Sequence, residues 1–556
     1  MCVFKKLMVK NQRIRSLLVA VFIGLMSAQL MAAKTSAPES LETIFAALPK
    51  ASFSEKAALM NAIAASGADN SLEIIEAIYD GNLYYVKKDS TVVFAEKMDK
   101  GYAITNALTG ESLGEIGKRK VKKITINNSL RRDLTQLIAG FKLRSVKAAE
   151  RIQAARNMIN RPSTELLPLI DSALKEETDN DVRAVLDIAR AATVLGDLSS
   201  TSKEKIAALA ILAEATDSSA INLVSKITLK DSDGNYLEKD QELVAAAEKA
   251  LESLTTRKSF YELVQNLFFG VSLGSVLLLT AVGLAITFGV MGVINMAHGE
   301  MIMIGAYATY TVQLLMPNMI GTSILVSIPV AFLVSGLMGV LVERLIIRHL
   351  YGRPLETLLA TFGLSLVLQQ LVRTIYSPLN RSVITPDWMS GSWAINGMLS
   401  LTYNRLFIII FSFMVLFALM MLMKKTSFGL QMRAVTMNRK MASSMGIKTG
   451  WIDAMTFGLG SGIAGVAGVA LSQLTNVGPN LGQAYIIDSF MVVVFGGVGN
   501  LFGTLFAAMS LGLANKFMEP MAGAVLAKIF ILVFIILFIQ KWPRGLFAIK
   551  GRFVED

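Results

Sequence analysis

Long apolar segments dominate the second half of this 556-residue chain and constrain its fold more than any other feature. Inside a bilayer every backbone N–H and C=O group needs a partner within the protein, so only helices and closed barrels can cross it. Apolar runs near the roughly 20 residues of a spanning helix predict an α-helical polytopic membrane protein with about eight or nine spans. The candidate spans are residues 262–288, 301–316, 324–342, 355–376, 406–423, 452–474, 485–498, 501–513 and 525–540.

The first 33 residues have the features of a secretory signal peptide. A basic region precedes an apolar core at residues 17–26, and small residues follow this core. Because the core is well below the roughly 20 residues of a spanning helix, cleavage is favoured over anchoring. Residues 34–258 are therefore predicted to form a periplasmic domain, followed by a transmembrane domain at residues 259–556. The single cysteine, Cys2, precedes the apolar core, so the mature protein would have no disulfide and no Cys-ligated metal.

The predicted periplasmic domain is polar and has no long apolar run. Alternating runs separated by turn residues at positions 82–107 predict a small β-meander. The rest of the domain is predicted to form short helices. Two stretches of similar sequence, SVKAA at residues 145–149 and DVRAV at residues 181–185, are 36 residues apart. This spacing approaches the roughly 40 residues of HEAT-type repeats, so the domain is expected to be mainly helical with HEAT-like repeats.

A basic loop lies between two very apolar segments at residues 424–450. It contains six Lys or Arg residues and no Asp or Glu, which by the positive-inside rule predicts a cytoplasmic position. Residues 429–447 have the spacing of a short amphipathic helix, and Gly446 is the expected helix stop. The loop is either a docking element for a partner or only a topology signal.

Two glycine-interrupted stretches occupy comparable places in the apolar region, at residues 289–305 and 495–503. Broken helices often line the solute pathway of transporters, and polar groups inside a membrane are too costly to face lipid. An alternative role for His298 and Glu300 is a structural pair at a helix end. The second break also leaves open whether its flanking segments cross the membrane or form a re-entrant pair. The candidate pathway residues are Asn295, His298, Glu300, Gly496, Gly497 and Asn500.

Three ordered motifs resemble one family of transport proteins, and the resemblance covers roughly residues 260–550. They are the loop at residues 429–447, the stretch VINMAHGE at residues 293–300 and the stretch FGGVGNLFGT at residues 495–504. Together they resemble the permeases of ABC importers, in the branch that transports branched-chain amino acids and urea. The resemblance implies that the loop couples to an ATPase subunit, through Arg433, Ala434, Asn438, Ala442, Gly446 and Ile447.

The resemblance also implies partners. These are a second homologous permease subunit, cytoplasmic ATP-binding subunits and a periplasmic substrate-binding protein, with the permease in the bacterial inner membrane. The chain has no phosphate-binding loop of the form G-x-x-x-x-G-K-[ST], so the energy is expected to come from the ATPase partners. We expect no enzymatic activity, no cofactor and no metal site. The net charge of +12 is interpreted as membrane topology, not as a nucleic-acid-binding surface.

The expected substrate is urea or a short amide. This expectation rests on the long N-terminal extension and on the tail around residues 545–552, both of which resemble the urea-type permeases. The alternatives are a branched-chain amino acid permease, or an ion-coupled transporter or channel. The pathway residues alone do not distinguish a neutral amide from an amino acid.

Overall fold

The computed structural model describes residues 41–66, 68, 70–98 and 101–547. The predicted signal peptide, Cys2 and the tail from residue 548 lie outside the described residues. The described chain forms two compact units. The first comprises residues up to Ala215 together with Ser219–Leu251, and the second comprises Thr216–Ser218 and the chain from Glu252 onward.

The first unit contains an antiparallel sheet at the place where the β-meander is expected. The sheet continues beyond residue 107, and its strand order is β4-β3-β2-β1-β5. Side chains of a strand alternate between the two faces, so Val92 and Val93 are buried in different apolar clusters. The strands are β1 (Leu83–Val86), β2 (Val92–Met98), β3 (Gly101–Asn106), β4 (Ser112–Ile116) and β5 (Val121–Lys123).

Short helices make up the rest of this unit. Two of them begin with capping boxes, Ser52 with Glu55 and Thr201 with Glu204. The two similar stretches found in the sequence begin α5 and α7, which pack against each other; that they form HEAT-type repeats stays a prediction. The helices are α1 (Leu41–Ala47), α2 (Phe53–Ala65), α3 (Ser71–Asp80), α4 (Asn128–Leu143), α5 (Ala148–Asn160), α6 (Leu167–Glu176), α7 (Asn180–Gly196), α8 (Ser202–Leu212) and α9 (Ser218–Ser225).

One long helix, α10 (Gln241–Met291), joins the polar and apolar parts of the chain. Its first half is rich in Ala, Glu, Leu and Lys, which are good helix formers, and has no Gly or Pro before Gly270 to end the helix. The two compact units divide within this helix at Leu251, close to the boundary expected near residue 258.

Apolar helices form the second unit. Seven described helices, α10 among them, are long and apolar enough to cross a membrane; the helices at positions 298–315 and 481–496 are excluded by composition or length. All nine predicted segments are nevertheless helical. The helices after α10 are α11 (His298–Leu315), α12 (Ile320–Leu345), α13 (Pro354–Tyr376), α14 (Tyr403–Lys425), α15 (Ser427–Met437), α16 (Arg439–Ser444), α17 (Thr449–Ser472), α18 (Leu481–Gly496), α19 (Leu501–Ala522) and α20 (Ala524–Lys541).

Helix α19 is longer than the segment expected at residues 501–513. The sequence prediction ended where polar residues begin, but the helix continues through them to Ala522. Lys516 and Glu519 are three residues apart and form an ion pair of 2.7 Å, so the last turns keep their charges satisfied. At 22 residues α19 has the length of a full span, whereas α18 has only 16 residues.

Helix α17 is the centre of the second unit, and most of its residues are buried. It packs along both α11 and α12. Glycines make this close packing possible, because a Cβ atom on Gly305 of α11 would overlap the backbone of Gly465 in α17. The same holds where Gly283 of α10 meets Gly460.

The loops of the second unit gather at two opposite ends of the helix bundle. At one end the loop after α13 pairs with the loop after α17 through Arg381 and Val477, and with the end of α11 through Gln313. At the other end Arg439 lies against Tyr351, and Gly499 lies against Gly289. The basic loop at residues 424–450 belongs to this second end.

Candidate functional site

The first break in the apolar helices is a buried turn between α10 and α11. Asn295 in this turn is only 2% exposed, and its Oδ1 accepts a hydrogen bond from the backbone N–H of Ala297 at 3.0 Å. The backbone N–H of Met296, which lies between these two residues, donates to Oγ1 of Thr361 in α13 at 3.1 Å. Asn295 therefore shapes the start of α11, while its Nδ2 is buried without a partner among the described residues.

His298 and Glu300 follow on the first turn of α11 and are both buried. Nε2 of His298 lies 2.9 Å from the carbonyl oxygen of Thr280 in α10. Oε1 of Glu300 accepts hydrogen bonds from Ser365 Oγ and Gln369 Nε2 of α13, each at 2.8 Å. The two side chains thus face different helices, and among the described residues no hydrogen bond or ion pair joins His298 to Glu300, as the alternative of a structural pair would require.

We name Asn295, His298, Glu300, Ser365 and Gln369 the buried polar cluster. Each of the first three has one polar side-chain atom that is buried without a partner among the described residues: Nδ2 of Asn295, Nδ1 of His298 and Oε2 of Glu300. Leaving such a group unsatisfied costs roughly 1–3 kcal/mol, and more for a charged group. The cluster can therefore form further hydrogen bonds, with Nδ2 of Asn295 as a donor and Oε2 of Glu300 as an acceptor, although it is closed to solvent in this conformation.

Sequence reasoning missed the α13 side of this cluster. Thr357, Thr361, Ser365 and Gln369 recur every four residues in a largely apolar helix, and all four are buried. Residues four apart lie on one face of a helix, so this spacing predicts a polar stripe that faces protein and not lipid. The stripe is a signal that the sequence contained.

The second break has a different role from the first. Asn500 caps α19, its Oδ1 accepting from the backbone N–H groups of Phe502 and Gly503. Its Nδ2 donates to the carbonyl oxygen of Phe547 at 3.1 Å, and the Phe547 N–H donates to the carbonyl of Gly496 at 3.2 Å. Gly497 has a φ of +100° and lies against the same segment. The three residues anchor the chain at positions 544–547, and the structure does not bring them into the buried polar cluster.

The basic loop forms two short helices, so the prediction of one helix over residues 429–447 is wrong. Asn438 interrupts it with an extended backbone, and its Oδ1 accepts from the N–H of Met441 at 2.9 Å to cap α16. The helix stop at Gly446 is present: its φ is +86°, and Ile447 N–H bonds back to the carbonyl of Ala442. These bonds are those of a Schellman motif, which favours glycine at this position.

The two helices of the loop have an attached face and an exposed face. Met432, Val435 and Ala442 are buried against the helix bundle. We name the opposite face the methionine surface: Met437, Met441 and Met445 are 62%, 62% and 78% exposed. Arg433 is also exposed, whereas Ala434 and Ile447 are half-buried. Flexible, polarizable methionines on an attached helix suit a protein-binding surface.

An ion pair joins the loop to the centre of the bundle. Arg439, the first residue of α16, donates both terminal nitrogens to the carboxylate of Asp453 in α17, with Nη1 3.2 Å from Oδ1. The Asp453 side chain is 1% exposed and that of Arg439 is 41% exposed. The guanidinium also lies 4.4 Å from the ring centre of Tyr351. Burial raises the pKa of the Tyr351 phenol, so the ring stays neutral beside the cation.

The described residues contain no group of three His, Cys, Asp or Glu side chains placed to hold a metal ion. Residues 266–539 match the family described as "Branched-chain amino acid transport system / permease component". No solved structure matches the chain.

Curated relatives match over about half of this chain. The high-affinity branched-chain amino acid transport system permease protein LivH of Escherichia coli (strain K12) is 30% identical over 299 residues, which are 52% of this chain and 96% of LivH. The corresponding protein BraD of Pseudomonas aeruginosa is 28% identical over 51% of this chain and 96% of BraD. A probable LivH of Methanocaldococcus jannaschii is 26% identical over 44% of this chain and 76% of the relative.

Proposed function

The chain belongs to the family of branched-chain amino acid transport permeases, and from this premise we propose that it is the permease subunit of an ATP-driven importer of branched-chain amino acids. The observation that carries the proposal is the match over nearly the whole length of LivH and BraD, whose names state this transport. The proposed partners are a second permease subunit, cytoplasmic ATP-binding subunits and a periplasmic substrate-binding protein.

This proposal replaces urea as the first choice of substrate. The urea hypothesis rests on the extension and the tail, and about half of the chain lies outside the alignment with LivH. The buried polar cluster favours an amino acid, since Glu300 supplies a carboxylate with a spare oxygen that an α-ammonium group can bind. A neutral amide needs no charged partner.

We place the basic end of the second unit in the cytoplasm of a bacterium with an inner membrane. The support is the positive-inside rule applied to the loop at residues 424–450. The first unit is then periplasmic, as the signal-like start of the chain also predicts. In this orientation the methionine surface faces the ATP-binding subunits.

We expect labelled leucine to enter vesicles that contain the complete importer, ATP inside and the binding protein outside. Excess valine or isoleucine should compete, because these solutes share the α-ammonium, the α-carboxylate and a branched side chain. The matched control is the same vesicle without ATP. Competition by urea or acetamide, with none by valine, would overturn the substrate proposal and restore the urea hypothesis.

The proposed coupling surface predicts a loss of ATPase binding in Met441→Asp. A carboxylate placed in an apolar contact must lose its water without gaining a partner, so copurification of the ATP-binding subunits should fall at least tenfold, which corresponds to about 1.4 kcal/mol. Leu314→Asp is the control, since Leu314 is 59% exposed at the opposite end of the bundle. Equal copurification in both variants would leave the loop as a topology signal.

A further inference from the structure

The first unit contains a cavity of about 480 Å³ between helices α3, α4 and α5. This volume is within the roughly 300–1,000 Å³ of small-molecule sites in proteins. The cavity lies outside the family match at residues 266–539, so it is independent of the membrane helices. Its lining combines one apolar wall with charges of both signs.

The apolar wall consists of Ile138 on α4 and Met158 on α5, with the small side chains of Ala139 and Ala154 between the same helices. Met158 is 3% exposed, so this wall belongs to the inner side of the cavity. An aliphatic group that enters would cover apolar surface and gain about 25 cal/mol for each Å² removed from water.

The charged groups of the lining are two carboxylates and two cations. Glu76 and Lys142 form an ion pair of 2.5 Å, each about one-third exposed. Asp80 and Arg161 also line the cavity and are exposed. Within the part of the chain that the structure describes, neither of these two side chains has an ion pair or a hydrogen bond. Asp80 and Arg161 are thus available to a ligand.

This arrangement disfavours ligands whose charges are all of one sign. An anion would meet the carboxylates of Glu76 and Asp80, and a cation would meet Lys142 and Arg161. A zwitterion can place its carboxylate on the guanidinium of Arg161, which presents donors in a planar fork, and its ammonium on the carboxylate of Asp80. A neutral solute would gain from neither group.

We infer that this cavity binds a free α-amino acid with an aliphatic side chain. Arg161 binds the α-carboxylate, Asp80 binds the α-ammonium, and the wall of Ile138 and Met158 covers the side chain. The charge argument stands on the cavity alone; the identity of the amino acid rests on the proposed function. The cavity in the first unit is then a second binding site for the transported solute, separate from the buried polar cluster.

The test is leucine binding to the purified full chain in lipid nanodiscs, measured by isothermal titration calorimetry. Removing one charged partner should weaken binding about tenfold, as expected for one hydrogen-bonded charge pair. Arg161→Gln and Asp80→Asn are the test variants. Arg132→Gln and Asp187→Asn are matched controls, because these exposed charges of the same unit do not line the cavity. Thermal unfolding curves verify that each variant is folded.

Two analogues of leucine identify which charge each residue binds. 4-Methylpentanoate lacks the amino group and 3-methylbutylamine lacks the carboxylate, so both should bind more weakly than leucine. Arg161→Gln should weaken the binding of 4-methylpentanoate but not that of 3-methylbutylamine. Asp80→Asn should weaken the binding of 3-methylbutylamine but not that of 4-methylpentanoate.

Equal leucine affinity in Arg161→Gln, Asp80→Asn and the controls would overturn the inference, as would leucine binding no tighter than that of urea. A failure of this inference and a failure of the proposed function give different experimental results. If the importer takes up leucine but the cavity does not bind it, only the proposed cavity site is refuted. An importer that does not take up leucine refutes the substrate proposal, whatever the cavity binds.

Discussion

Gly305→Leu should prevent the second unit from reaching its folded state. Gly305 in α11 lies against the backbone of Gly465 in α17, and even a Cβ atom would overlap that backbone. Extra atoms in a packed core usually cost roughly 1–3 kcal/mol, and the cost should be higher here because a backbone cannot turn away as a side chain can. We expect the variant to aggregate, or to show no cooperative unfolding transition. The measurement is the amount of non-aggregated protein that size-exclusion chromatography finds after samples are heated to increasing temperatures.

Gly363→Leu is the matched control for this experiment. Gly363 lies on α13, and no atom is within 4 Å of the place its Cβ would occupy. Leucine is also a better helix former than glycine, so this variant should be as stable as the natural protein or more stable. Equal loss of folded protein in both variants would show that the close contact between α11 and α17 is not what limits substitution.

Arg439→Gln should destabilise the protein more than Asp453→Asn, although both remove the same ion pair. The first variant leaves the Asp453 carboxylate, 1% exposed, without its partner; the second leaves Arg439, 41% exposed, which can turn to water. Breaking a buried pair costs roughly 3–5 kcal/mol, and the exposure of Arg439 lowers this to about 2 kcal/mol. The free energy of unfolding of the purified chain measures the difference.

The same variants should also uncouple transport, because Arg439 holds α16 to the central helix α17. Leucine uptake should fall in Arg439→Gln more than in Lys440→Gln, the adjacent exposed cation for which no ion pair is found among the described residues. If Arg439→Gln and Lys440→Gln have the same stability and the same uptake, the ion pair is not a link between the loop and the bundle.

Much of the second unit could be predicted from the sequence, since the signals are local. All nine predicted apolar segments are helical, because a run of apolar residues near membrane thickness has no other way to satisfy its backbone. The stop at Gly446 follows from a single residue that tolerates positive φ. The prediction of one helix over residues 429–447 is wrong at Asn438, a residue better suited to capping a new helix than to continuing one.

The sequence by itself therefore determined which segments are apolar helices, where the basic loop lies and which residues interrupt the helices, since these depend on neighbours within a few turns. Only the tertiary structure decided what the polar residues do. Glu300 bonds to Ser365 and Gln369, which are 65 and 69 residues away, and Asn500 bonds to Phe547 rather than joining the first break. Helix neighbours are set by the packing of whole surfaces, such as the glycine contacts of α17, and no local spacing contains that information.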